Sequence, residues 1–179
     1  MRVIRQVDSR EVYRNPWLRV REDTIEYPDG SSGTYAVVEK QDFVLVIPFT
    51  GDGFWLVEQY RYTVGARVWE FPQGGWPAGR SGTTEELAVA ELAEEAGLSA
   101  RALRHLGRLY AAYGYCGQSY DVYLATDLVE GAPRREHTEQ DMVHQWVTTD
   151  ELRTMVRDGR FPDAHSVAAL TLFDAIDPS

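Results

Sequence analysis

The sequence predicts a mixed α/β domain in which at least two helices pack on a largely antiparallel or mixed sheet. Three observations predict it. Short apolar segments alternate with turn clusters from Val3 to Phe71, as strands and hairpins do. The stretch from Thr83 to Gly97 carries helical spacing with its own start and stop signals. Two further segments near the C-terminus open on Asp150 and Asp163, residues suited to cap a helix. At 179 residues the chain suits one domain with a small appendage. The expected division is N-terminal strands over 1–40 and a main domain over 41–179.

Val3 to Val7 and Trp17 to Tyr27 are expected to be extended. Pro28-Asp29-Gly30-Ser31-Ser32-Gly33 is a dense turn cluster that joins the second segment to Thr34–Glu39 as a hairpin. Phe43-Val44-Leu45-Val46-Ile47 is a continuous apolar run, as in a strand buried on both faces. Thr50-Gly51-Asp52-Gly53 predicts a second hairpin leading into Phe54–Tyr60. Val68–Phe71 is a short strand running into Pro72-Gln73-Gly74-Gly75. After the helix, Ala102–Leu109 and Tyr110–Tyr113 are strand-like, and the first part is equally compatible with a loop. Gly114–Gly117 breaks the pattern before the alternating strand Tyr120–Ala125. Glu130–Asp141 is a polar loop and His144–Thr148 the last strand. Asp150 caps a helix from Glu151 to about Arg157, stopped by Gly159, and Asp163 starts a final helix through Phe173.

The composition is 44% hydrophobic and 26% charged, with a net charge of -10. Such an acidic chain disfavours nucleic acid and anionic membrane as partners, so a phosphate-bearing ligand needs bound cations or local arginines. Cys116 is the only cysteine, which excludes an intrachain disulfide and a multi-cysteine zinc site. No secretory-type apolar leader or membrane-length run is present, so the cytoplasm is the expected compartment.

The chemistry concentrates in the helix. Thr83-Thr84-Glu85-Glu86 fits a capping box and Gly97 an αL stop. Ala88, Leu92 and Ala96 form an apolar stripe beside Glu91, Glu94 and Glu95, which stand at i, i+3 and i+4. Like charges at this spacing repel by about 0.2–0.5 kcal/mol per pair unless a cation intervenes. Magnesium takes carboxylate, water and phosphate oxygens, so the spacing suits one or more such ions against a diphosphate. A solvated acidic face is the plain alternative.

Glu70-Phe71-Pro72-Gln73-Gly74, the following loop and Glu91-Leu92-Ala93-Glu94-Glu95-Ala96-Gly97-Leu98 resemble the Nudix box, G-x5-E-x7-R-E-U-x-E-E-x-G-U. The upstream Val57-Glu58-Gln59-Tyr60-Arg61-Tyr62, then Trp69-Glu70-Phe71-Pro72, looks like the ADP-ribose pyrophosphatase branch. The closing Gly159-Arg160-Phe161-Pro162-Asp163-Ala164 also fits that branch. The departures are definite. The family's arginine before the E-L pair is Ala90 here. Its first glutamate falls on Gly82 with Trp76 as first glycine, or on Arg80 if Gly74 is first glycine in a lengthened loop. In either alignment the charge pair that braces the loop in the family is absent.

The resemblance implies the Nudix α/β/α sandwich, a mixed sheet between helices, with an N-terminal β-hairpin appendage similar to a dimerising element and hence a homodimer. It implies hydrolysis, with Mg²⁺ or Mn²⁺, of ADP-ribose or a nucleotide sugar to a nucleoside monophosphate and a sugar phosphate. Glu91, Glu94, Glu95 and Gly74 would be metal ligands, and Glu91, Glu95 and Glu139 catalytic residues. Glu139 would be the base, with Glu136 and Asp141 nearby. Arg61, Glu70, Gln73 and Tyr60 would contact substrate, and Tyr62, Tyr113 and Tyr115 are further aromatic faces for a base. The alternative is a non-catalytic Nudix domain that binds a nucleotide sugar as sensor or accessory subunit. His105, His137, His144 and His165 show no metal-ligand spacing, and Ser119 and Asp121 lie in no nucleophile motif.

Overall fold

The computed structural model describes residues 3–77, 79–133 and 141–176. The chain divides into one unit of Met1–Asp42 with Tyr110–Ser119 and another of Phe43–Leu109 with Tyr120–Ser179. No helix among the described residues is long and apolar enough to cross a membrane.

In the first unit, β1 (Arg5–Arg14), β2 (Arg19–Glu26) and β3 (Ser32–Glu39) form an antiparallel meander. The predicted hairpin closes where Tyr27 N donates to Ser31 O at 2.8 Å, with Gly30 at a φ of 86° that favours glycine. The strand expected over Val3–Val7 instead runs to Arg14. Every residue of β1 is exposed, so no buried face imposes an apolar alternation on its sequence. Charge pairs mark the meander, such as Arg10 with Glu22 at 3.0 Å and Arg21 with Glu39 at 2.7 Å. Val38 of β3 forms a parallel bridge with Cys116.

In the second unit, β4 (Phe43–Pro48) runs parallel to β9 (Cys116–Glu130) and antiparallel to the two-residue β7 (Gln73–Gly74). β8 (Leu98–Ala112) pairs with the other side of β9. A separate three-stranded sheet has the order β10 (Val143–Thr148), β5 (Gly53–Arg61), β6 (Ala66–Glu70). The expected hairpin of Phe43–Ile47 with Phe54–Tyr60 is therefore corrected. The turn forms, with Thr50 N on Gly53 O at 2.9 Å, but the strands part after the single bridge Phe49↔Phe54. An all-apolar strand needs cover on both faces, whereas β5 carries Glu58, Gln59 and Tyr60 toward one end and joins a different sheet.

β4 supplies both faces of the core. Val44 and Val46 pack with Leu87, Ala88 and Leu92 of α1 (Thr84–Glu95). Leu45 and Ile47 pack with Leu152 and Met155 of α2 (Thr149–Asp158) and with Ala169, Leu170 and Phe173 of α3 (Ala164–Ile176). This period-two division gives helices on either side of a mixed sheet, the predicted α/β/α arrangement.

The capping box at Thr83 and Glu86 is formed, and Gly97 follows the helix at φ 68°. A Cβ on Gly97 would lie 2.8 Å from Gly131 O, so close backbone approach also requires glycine there. α2 is capped by Thr148 rather than Asp150, because the Thr148 hydroxyl accepts from Glu151 N at 3.1 Å. β8 and β9 are each 15 residues long, well beyond the segments expected, and the turn between them covers only Tyr113–Tyr115. Polar and basic residues interrupt their patterns, so pairing rather than periodicity sets their length. Of the predicted loop Glu130–Asp141, Glu130 still belongs to β9, and residues 134–140 lie outside the described residues.

Candidate active site

The turn after β6 and the helix α1 meet face to face. Pro72 O accepts from Val46 N at 2.9 Å, and Gln73 and Gly74 then pair with β4 as β7. Opposite this turn, Glu91 and Glu95 stand one helical turn apart on α1, 8% and 2% exposed. Gln73 N donates to Glu95 Oε2 at 3.0 Å. A Cβ built on Gly74 would lie 2.5 Å from Glu91 Oε2, so only glycine leaves that carboxylate its place. Glu94 lies about 60° from Glu91 on the other side and is only partly buried. Two of the three predicted carboxylates thus face the turn from within the fold, and the third sits at its margin.

Glu70, at the end of β6, is 1% exposed. Its carboxylate accepts from Gln59 Nε2 at 2.8 Å, Arg61 Nε at 3.2 Å, Arg61 Nη2 and Gln73 Nε2 at 3.2 Å. Burial raises its pKa above the usual carboxylate value, and the nearby Arg61 only partly offsets this. Gln73 Nε2 also donates to Asp163 Oδ2 at 3.0 Å. Asp163 caps α3, accepting from Ser166 N at 2.9 Å and Ser166 Oγ at 2.7 Å. Burial pushes the Asp163 carboxyl up, but the adjacent His165 and Ser166 outweigh it and hold its pKa at about 2. Phe71 N donates to Ser166 Oγ at 2.9 Å.

The loop leading to α1 lacks the family's charge pair and is organised differently. A Cβ on Gly82 would lie 2.8 Å from the Trp76 ring and 2.7 Å from Glu86 Oε2. Trp76 packs against the apolar cluster beneath α1, and the Arg80 guanidinium lies 5.3 Å from its ring centroid. Glu86 accepts from Thr83 N at 2.8 Å.

The remaining predicted residues separate. Arg61 is engaged with Glu70, with its side chain 38% exposed. Tyr60 and Tyr62 are exposed at the end of β5, while Tyr113 and Tyr115 belong to the turn that clusters with the first unit. Glu136, His137 and Glu139 lie outside the described residues. Asp141 pairs with Arg67 at 2.8 Å. His105 Nε2 is 2.7 Å from Asp121 Oδ1, a contact between strands that no local motif announces. Asp163 and Ser166 belong to the site although their spacing signals only a helix start. The bond that reveals them spans 95 residues, from Phe71 to Ser166.

Among the described residues no three His, Cys, Asp or Glu side chains converge as a ready metal cage. The chemistry of the donors nevertheless fits a hard divalent cation. Buried carboxylates on one helix face meet a glycine whose missing Cβ keeps their surroundings open, and all the donors are oxygen.

A family model described as NUDIX domain matches residues 39–170, and one described as nucleoside diphosphate sugar hydrolase N-terminal domain matches residues 4–38. An ADP-ribose pyrophosphatase of Mycobacterium tuberculosis (strain ATCC 25618 / H37Rv) is 32% identical over 173 residues, covering 95% of this chain and 83% of the relative. An ADP-ribose pyrophosphatase of Bacillus subtilis (strain 168) is 24% identical, covering 92% of this chain and 89% of the relative. The crystal structure of an ADP compounds hydrolase superposes with a TM-score of 0.84 at 22% identity, over 98% of this chain and 94% of that one. At that identity the likeness shows the fold.

Proposed function

This chain belongs to the NUDIX family and is a Nudix pyrophosphohydrolase of the ADP-ribose pyrophosphatase-like kind, and from that premise we propose that its substrate is ADP-ribose or a closely related nucleotide sugar. The observation that carries the reading is the contact of Gly74 and Gln73 with Glu91 and Glu95. It places two buried carboxylates against an open backbone turn. Glu91, Glu95, the marginal Glu94 and the Gly74 carbonyl would hold Mg²⁺, with Mn²⁺ as substitute. Once bound, that ion would neutralise diphosphate oxygens and acidify water.

The chain's own residues do the rest. Glu91 and Glu95 are buried against the turn, and the Gln73 N–H fixes the orientation of the Glu95 carboxylate. Glu139 is proposed as the base that takes the proton of the attacking water. A new P–O bond forms, the anhydride P–O bond breaks, and its oxygen leaves on the second phosphate. The products are a nucleoside monophosphate and a sugar phosphate. Tyr60, with its ring half exposed, is proposed to stack on the base. The N-terminal unit is proposed to pair two copies, supported by the exposed Val7, Val12, Tyr13 and Trp17.

The test is an assay of ADP-ribose and a nucleotide-sugar panel with Mg²⁺ and with Mn²⁺, alongside Glu95→Gln and Glu139→Gln. Turnover that depends on metal and collapses in Glu95→Gln is expected, with a fall of about 10²–10⁴-fold in Glu139→Gln. Unchanged turnover in Glu95→Gln would sink the metal assignment. Binding of a panel member with no turnover would favour the non-catalytic reading, which the absent loop brace motivates.

A further inference from the structure

We propose that the first turn of α3, through Asp163 and Ser166, is the positioning anchor of the metal-facing turn, with Gln73 as the link that carries its hold across to Glu95. The inference rests on the reading of Glu91 and Glu95 as metal-holding groups.

The hydrogen bonds run in one sequence from helix to helix. Phe71 N donates to Ser166 Oγ at 2.9 Å, and that hydroxyl donates to Asp163 Oδ2 at 2.7 Å. The same Oδ2 accepts Gln73 Nε2 at 3.0 Å, and Gln73 N donates to Glu95 Oε2 at 3.0 Å. Phe71 and Gln73 flank Pro72, which has no N–H to offer. The turn is therefore held at both flanks by α3 and closed onto α1 by the Gln73 N–H.

Helix capping alone does not account for this. An N-cap carboxylate needs only the N–H two or three residues on, and Ser166 N supplies it at 2.9 Å. The bonds to Phe71 and Gln73 bridge 95 and 90 residues and serve the turn rather than the helix. Ser166 is fully buried, so its hydroxyl has no water to satisfy it in place of Phe71 and Asp163. Gln73 is suited to the link because its neutral amide presents two N–H groups to two carboxylates, Glu70 and Asp163. Asp163, Ser166 and Gln73 are positioning residues. They act on the metal through the carboxylate of Glu95.

The measurement is Mn²⁺ binding to the full chain without substrate, followed by electron paramagnetic resonance, with hydrogen exchange of the Gln73 amide as second readout. Gln73→Met keeps side-chain length and removes only the amide; circular dichroism confirms that each variant is folded. Gln73→Met and Ser166→Ala are expected to weaken Mn²⁺ about 10–100-fold, the usual effect of losing an outer hydrogen bond to a ligand. Both should speed exchange at Gln73, and Ser166→Thr, which retains the hydroxyl, should bind as the parent does. The combined variant should lose less than the sum of the two, because both act through one chain of bonds. If Ser166→Ala does not fold, Gln73→Met decides alone, since its side chain is only partly buried. Parental Mn²⁺ affinity in folded Gln73→Met overturns the anchor. Glu95→Gln separates the two failures. If it weakens Mn²⁺ while Gln73→Met does not, only the anchor fails; if neither weakens it, the metal reading fails as well.

Discussion

The carboxylate of Glu91 occupies the place that a side chain on Gly74 would need, with Oε2 only 2.5 Å from an ideal Cβ at that glycine. A strand-end turn and a helix face are thereby brought closer than any other residue type permits. Gly74→Ala should displace the carboxylate rather than the backbone, because the carboxylate is the more mobile of the two. A loss of Mn²⁺ affinity of about 10–100-fold is expected, with catalysis falling alongside it and thermal stability changing little. Titration of Mn²⁺ into the folded variant checks this, and parental affinity would contradict it.

Trp76 on Gly82 takes over the bracing of the loop by apolar contact. Restoring an acidic residue through Gly82→Glu should therefore harm the protein, since a Cβ there already meets the Trp76 ring at 2.8 Å. The overpacking should cost about 1–3 kcal/mol, read from urea unfolding. Trp76→Ala should speed proteolysis between Gly75 and Thr83. Because no ion pair of the loop stands among the described residues, moderate salt should leave its protease resistance unchanged.

Arg61 and the buried Glu70 form a pair whose halves are unequal. Arg61→Ala removes the donors at Nε and Nη2 and leaves Glu70 with Gln59 and Gln73. A destabilisation of about 1–3 kcal/mol is expected. Combining it with Glu70→Gln should recover part of the loss, because the uncompensated buried charge disappears. A double-mutant cycle in urea measures the coupling, and strict additivity would show that the pair contributes nothing.

Asp163 and Glu70 should shape acid stability in opposite senses. The folded pKa of Asp163 lies at about 2, below its ordinary 3.8. Its contribution is complete above about pH 4 and is lost as pH falls through about 2. Glu70 is raised above 4.5, so its folded form binds the proton more tightly than the unfolded chain, and stability declines as pH rises through the folded value. Asp163→Asn should flatten the acid limb of a stability–pH curve, and Glu70→Gln should remove the decline above pH 4.5. Urea midpoints from pH 2 to 7 test both signs.

What was legible in the sequence lay in local patterns. The capping box at Thr83 and Glu86, the all-apolar run Phe43–Ile47 and the i, i+4 spacing of Glu91 and Glu95 on one helix face are each visible within a few residues. Together with the resemblance they determined the helix, the layers and the kind of chemistry. Tertiary structure alone decided the rest. It placed β4 and β5 in different sheets although a good turn joins them, because β4 needs cover on both faces. It extended β1 through residues that are all exposed and so carry no period. It set Trp76 on Gly82, and Asp163 and Ser166 on the Pro72 turn, through contacts between residues far apart in the chain or unmarked by any local pattern. A sequence specifies such contacts only through the folded core, since hydrogen-bond partners 90 residues apart share no local geometry until the strands and helices between them have packed.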